Sequence, residues 1–241
     1  LDNDNYVAGL VDSDFSVMIV NRVVRGDKLR MAPKINFTNT NSLLTDFMSS
    51  YLKKYGINHH VGIRNKTVSH HKMEKQLTIT RYSKCIDFSE KIFRCSIIRR
   101  PQLEIVRDFC VDRCKYVEES GWKFINTPYT DYQKELCDKI RKCNLNYNYD
   151  NGYRNYTFSW LGGFIDGDGS IGLAYCKQGN GRSDYRISPF INFSFGSDTG
   201  LNNTVELFDK YGIVYKCSKF KCKASKKADN KTEITISARK Y

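Results

Sequence analysis

Two short segments, 154 positions apart, carry the same pattern: Tyr6-Val-Ala-Gly-Leu-Val-Asp-Ser-Asp-Phe15 and Trp160-Leu-Gly-Gly-Phe-Ile-Asp-Gly-Asp-Gly-Ser170. Each reads as a helix with small residues on one face that runs into an acidic turn. Asp12 and Asp14 in the first copy match Asp166 and Asp168 in the second. Small residues let two helices approach closely, and a carboxylate at each helix end then lies near a shared axis. The register continues beyond the motifs. Ile35-Asn36-Phe37 matches Ile191-Asn192-Phe193, and Tyr55-Gly56-Ile57 matches Tyr211-Gly212-Ile213, both at an offset of 156. Self-similarity at this spacing means one fold used twice, and a chain of 241 residues is long enough for two such units.

Periodicity fills in each unit. Helices are expected at 6–14 and 158–168. Strand-like runs follow at 15–24 and 34–40, and at 170–177 and 189–195. Helices at 42–54 and 204–210 each stop at a glycine, as a helix C-terminus favours. Further strands are expected at 58–66 and 75–82, and at 214–222 and 232–239. The predicted fold is α/β, of the α+β kind: two pseudo-symmetric α-β-β-α-β-β subdomains, each an antiparallel four-stranded sheet with helices on one face, joined through the two motif helices. The first subdomain spans 1–143, with additional helices near 85–95, 102–118 and 130–143. A polar linker covers 144–156, and the second subdomain covers 157–241. The second subdomain has no counterpart of 85–118 and reads as short at its C-terminus. The chain opens without methionine almost directly on the first motif, so it reads as a trimmed or internal fragment.

Composition narrows the function classes. The formal charge is +13, and a surplus that large and one-signed points to a polyanion partner, nucleic acid first. No run of 18 apolar residues is present, so neither a membrane-spanning segment nor a membrane partner is expected. Nine cysteines, with no CxxC pair, read as free thiols in a reducing, intracellular setting rather than as a zinc site. Two chance patterns are set aside. Gly167 to Gly172 satisfies GxGxxG, but the helix precedes the strand, the reverse of a dinucleotide site. Asp166 to Ser170 opens like a calcium loop, but Ile171 and Lys177 stand where that loop needs Gly and Glu. The histidine pairs 59–60 and 70–71 lack any metalloenzyme setting and are expected to face loops or phosphates.

The two motif segments resemble the LAGLIDADG homing endonucleases in their single-chain, two-repeat form. Residues 161–169 fit all nine motif positions. Residues 7–15 depart at the last, where Phe15 replaces glycine, and carry Ser13 before the acid. The resemblance implies an enzyme: a monomeric, sequence-specific endodeoxyribonuclease that hydrolyses one phosphodiester per strand of a long double-stranded site. It implies Mg2+ as cofactor, two or three divalent ions with Ca2+ or Mn2+ as substitutes, and no obligate protein partner. Carried over by position, the metal ligands are Asp14 and Asp168, assisted by the backbone carbonyls of Ser13 and Gly167. Two facing carboxylates repel by roughly 4 kcal/mol at 4 Å and an effective dielectric of 20, so a cation between them is physically reasonable. Asn41 and Ser197 match the family's polar residue that orders water near the metal, and Arg99 its basic residue near the scissile phosphate. Asp12 and Asp166 are expected instead to bond local backbone or the partner helix. The Lys-, Asn-, Ile- and Tyr-rich composition suggests an AT-rich coding genome; with the resemblance it points to an organelle, and the resemblance implies an intron-encoded reading frame.

The strands supply the DNA-reading candidates. Polar residues alternate with apolar ones, and Asn or Gln suits adenine edges while Arg suits guanine. In the first half these are Ser16, Arg22, Lys34, Asn36, Thr38, Thr40, Arg64, Lys66, Gln76 and Thr78. In the second they are Ser170, Arg182, Arg186, Asn192, Ser194, Lys219, Lys221, Thr235 and Ser237. A rival reading keeps the scaffold but loses the chemistry: an RNA-binding intron maturase or ribonucleoprotein component. Ser13, Phe15 and the short second half favour that rival, and the retention of both acids disfavours it.

Overall fold

The computed structural model describes residues 3–24, 28–64, 73–121, 127–145, 150–177, 185–221 and 230–237. Its centre is a pair of helices, α1 (Asn3–Asp14) and α6 (Phe158–Asp168). They touch through the small residues of the repeat. A Cβ placed on Gly9 would lie 2.0 Å from the Trp160 carbonyl oxygen, and one on Gly163 would lie 2.0 Å from the Tyr6 carbonyl oxygen. Each helix backbone thus fills the space that the other's side chain would need. The contact is reciprocal, as a twofold axis inside one chain requires.

A hairpin leaves each of these helices. In the first half, β1 (Phe15–Val24), β2 (Lys28–Asn39), β3 (His60–Arg64) and β4 (Glu74–Ile79) form an antiparallel sheet in the order β1-β2-β4-β3. In the second half, β5 (Gly169–Lys177), β6 (Tyr185–Phe195), β7 (Lys216–Lys221) and β8 (Asn230–Ser237) repeat that order as β5-β6-β8-β7. Helix α2 (Ser42–Lys54) and its counterpart α7 (Asp198–Tyr211) follow the second strand of each sheet. Both are followed by a left-handed glycine, Gly56 and Gly212, each with φ 64°. The α-β-β-α-β-β plan is therefore present twice.

Several boundaries differ from expectation by a few residues, and those at β2 and α7 differ most. Strand β2 begins at Lys28 rather than 34, because the chain remains paired through Pro33, opposite Ile19; Pro189 takes the same place in β6, opposite Leu173. Helix α7 begins at Asp198 rather than 204, directly after the extended Ser197.

Alternation sets which sheet face is dry. Phe15, Val17 and Ile19, with Ile35, Phe37, Leu77 and Ile79, are buried. Three further helices, α3 (Tyr82–Ile92), α4 (Arg100–Ser120) and α5 (Asp131–Leu145), belong to the first half alone among the described residues, and α4 and α5 pack on β1. The consequence is visible at equivalent positions. Val17 and Ile19 are 2% and 5% exposed, whereas Ile171 and Leu173, on the same face as buried Phe193 and Ile234, are 72% and 66% exposed.

Residues 150–157 tie the halves together. The Asn155 side chain donates to Asn5 Oδ1 and the Cys95 carbonyl, both at 2.7 Å. Its backbone exchanges bonds with the Asn203 side chain, and Asn151 donates through its side chain to the Ile97 carbonyl and through its backbone N–H to Thr199 Oγ1 of α7. No described helix is long and apolar enough to cross a membrane. The described cysteines are free thiols, four of the seven partly or fully exposed and three buried.

Candidate active site and nucleic-acid interface

Helices α1 and α6 both end on an aspartate, Asp14 and Asp168. Each end presents unpaired carbonyls and the negative pole of its helix dipole. The two ends abut: a Cβ on Gly167 would lie 1.9 Å from Ser13 Oγ and 3.3 Å from Asp14 Cγ. Burial pushes the Asp14 carboxyl up to about 6, the hydrogen bond from Asn39 opposes that rise, and the charge of Asp168 adds to it. Asp168 itself is exposed. Negative charge is therefore concentrated at the dyad, where a cation lowers the energy most.

The first acid of each motif does different work. Asp12 is buried and accepts five hydrogen bonds: from Ser96 Oγ at 2.5 Å, from the backbone N–H groups of Ile97, Ile98 and Arg99 at 2.8, 3.1 and 2.8 Å, and from Trp160 Nε1 at 2.8 Å. Burial raises its pKa and these donors pull it back. Asp12 thus pins the approach to α4 onto α1 and fastens α6 at the same time. The symmetric bond joins Tyr6 Oη to Asp166 at 2.5 Å. Both acids bond across to the partner helix, as their place two residues before the helix end suggested.

The polar residues expected around the carboxylates are only partly there. Asn41 is the N-cap of α2: its side chain accepts from Leu43 N at 3.0 Å and so is turned to the helix, not to Asp14. Asn39 takes the place instead. Its Nδ2 donates to Asp14 Oδ2 at 2.6 Å, and its Oδ1 accepts from Asn41 N at 2.7 Å. The signal for Asn39 was its parity with Phe37, which aims the last residue of β2 at the end of α1. In the second half that register position holds Phe195, buried against Phe164 and Phe193. Ser197 is buried at the N-cap of α7. Arg99 sits at the start of α4, half-buried, with its backbone N–H on Asp12.

Among the described residues no three His, Cys, Asp or Glu side chains gather into a metal cluster. The described side chains alone do not close a coordination shell. Two carboxylates and open positions instead suit Mg2+, which keeps waters and takes substrate phosphates as ligands. The oxygen-only donor set at the dyad fits that ion.

The open sheet faces carry most of the expected readers. Strand pairing puts Ser16 opposite Asn36, Asn36 opposite Thr78 and Thr38 opposite Gln76, with Lys34 on the same face. These groups are linked: Thr78 Oγ1 donates to Asn36 Oδ1 at 2.8 Å, and Asn36 Nδ2 to Thr38 Oγ1 at 3.1 Å. In the second sheet Ser170 faces Asn192, Asn192 faces Thr235, and Ser194 and Ser237 share that side. Thr40 lies just beyond β2, exposed in a bend. Arg30, opposite position 22, and Lys216, opposite Thr235, also belong to these faces and were missed.

Lys219 is a correction. It pairs with Thr232, which pairs with Phe195, so it lies on the helix-side face. Position 221 has the same parity. Lys216 and Ser218 face the open side instead; a one-residue slip in reading a strand exchanges its faces. Lys66 and Arg182 lie outside the described residues, as do the side chains of Arg22, Arg64, Arg186 and Lys221.

No family model and no curated protein matches the sequence. Solved structures do. The LAGLIDADG meganuclease I-CpaMI bound to uncleaved DNA superposes with a TM-score of 0.64 at 13% identity, over 99% of this chain and 80% of that one. The LAGLIDADG homing endonuclease I-GzeII in complex with its DNA target gives 0.64 at 13%, over 98% and 78%. I-SmaMI bound to an uncleaved DNA target in the presence of calcium ions gives 0.59 at 14%, over 98% and 79%. With the repeat, the abutting helix ends and the two matching sheets already in place, this likeness is one of architecture, and the chain has the LAGLIDADG homing-endonuclease fold in its single-chain, two-repeat form.

Proposed function

We propose that this chain is a monomeric double-stranded DNA endonuclease of the homing type, which hydrolyses one phosphodiester in each strand of a long pseudo-palindromic site with Mg2+ as cofactor. The observation that carries the reading is the abutment of α1 and α6, which puts Asp14 against Gly167 and in the field of Asp168. Structures of the same fold hold uncleaved and cleaved DNA, and one holds calcium ions.

Asp14 and Asp168 would hold the ions, with backbone carbonyls at Ser13 and Gly167 at hand. A divalent cation there neutralises charge on the phosphate and makes water more acidic. Asn39 orients Asp14 toward the dyad. Asp12 and Asp166 bond the helices and hold the two ends in place. The two sheets lie on either side of the dyad, so each would read one half-site through its open face. In this reading residues 1–143 and 157–241 are the two half-site readers, 144–156 joins them, and the gene is intron-borne in an organelle.

The test is to incubate the purified chain with Mg2+ and a library of randomised duplexes. Recovery of staggered cut ends from one consensus is expected. Duplex bound but never cut, or preference for structured RNA, would replace the endonuclease with the binding scaffold.

A further inference from the structure

The two open faces carry similar polar side chains at several matching positions, and at one central pair an amide is matched by a carboxylate. In the first sheet the cluster is Asn36, Thr38, Gln76 and Thr78, with Gly62 and His60 on β3 paired to Gln76 and Thr78. In the second it is Asn192, Ser194, Glu233 and Thr235, with Ser218 and Lys216 on β7 paired to Glu233 and Thr235. Gln76 and Glu233 are counterparts. A neutral amide stands in one half and a carboxylate in the other.

Glu233 is held in a defined pose. Asn192 Nδ2 donates to its Oε1 at 2.5 Å, and Ser218 Oγ donates to its Oε2 at 3.4 Å. Both are short, neutral side chains of the same open face. An anion on a face meant for DNA is repelled by phosphate, so among the groups of a duplex its favourable partners are base-edge donors. In the major groove the carboxylate's match is the cytosine N4 amino group, whereas an amide such as Gln76 matches adenine. In a chain of net charge +13, this acid at the centre of a reading face marks selection, since it disfavours bases that present only acceptors there.

We propose that Glu233 is a specificity-determining residue that selects a cytosine in the half-site read by the second sheet, while Gln76 takes an adenine at the mirror position. This rests on the duplex-recognition reading above. The experiment is selection from a randomised duplex library by the full chain, in Ca2+ so that binding is read without cleavage. Wild type, Glu233→Gln and Gln76→Glu are compared. Glu233→Gln is expected to change one position of one half-site from cytosine to adenine, by about tenfold or more in relative enrichment, with the rest of the consensus kept. Gln76→Glu is expected to bring a cytosine to the mirror position of the other half-site. A wild-type consensus that both variants leave unchanged, or loosen equally at every position, overturns the assignment alone. A wild-type pool with no consensus overturns duplex recognition and the assignment together.

Discussion

At the scale of single residues, the two acids of the first motif have divided their labour by environment. Asp12 is enclosed by five donors and serves packing, while Asp14, two residues on, keeps one strong donor and a like charge nearby. This has a pH consequence. The folded Asp14 carboxyl, at about 6, binds a proton more tightly than the unfolded chain does at 3.8. Its contribution to stability is therefore greatest below that window and is lost as pH rises from about 4 to about 6. Thermal melts of the metal-free protein should show that loss in wild type and not in Asp14→Asn. Added Ca2+ should raise the melting point more at pH 7 than at pH 5, because ion and proton compete for the same oxygens. A second residue-scale prediction concerns Asn39. Replacing it with alanine removes a charge-assisted hydrogen bond worth about 1.5–3 kcal/mol. Cleavage should slow by about tenfold or more while duplex affinity, measured in Ca2+, stays within about twofold. An equal loss in both would make Asn39 a structural residue only.

At the scale of elements, the contact between α1 and α6 positions everything else, and glycine makes it possible. Gly9→Ala or Gly163→Ala would drive a methyl group into the facing backbone carbonyl, and backbone cannot move aside as a side-chain tip can. Such overpacking costs about 1–3 kcal/mol or more, which denaturant midpoints would show. Gly162, on the same helix with nothing within 4 Å of its would-be Cβ, is the control: alanine there should be neutral or stabilise by about 0.5–1 kcal/mol. The elements were also the most legible part of the sequence. The repeated motif, the two Tyr-Gly-Ile helix ends and the alternation in the strands indicate the twice-used plan without coordinates. Less legible was anything decided by pairing between strands. Whether Lys216 or Lys219 faces the open side depends on the partner of Ile234, which lies across a hairpin rather than in the local pattern. Asn39 was overlooked for Asn41 because both are asparagines near the strand end, and only the cap on α2 distinguishes them. Trp160 reads as an apolar residue in sequence, yet its indole N–H is what fastens Asp12 to the second helix.

At the scale of the whole molecule, the chain is a near-symmetric frame with asymmetric detail. Asn39 is matched by Phe195, Gln76 by Glu233, and the helix-covered face around Val17 and Ile19 by the exposed Ile171 and Leu173. A target that is pseudo-palindromic rather than palindromic is what such a frame would read. The account depends on the dyad carboxylates doing chemistry while the sheets do the binding, and these are separable. The most direct measurement takes the duplex selected by the wild-type chain and compares wild type, Asp14→Asn and Asp168→Asn in Mg2+ for double-strand cleavage and for affinity. Both variants should lose double-strand cleavage by at least about a hundredfold, in line with removal of a group that stabilises transition-state charge, and bind within about threefold of wild type. Double-strand cleavage at the parental rate by either variant would contradict the account.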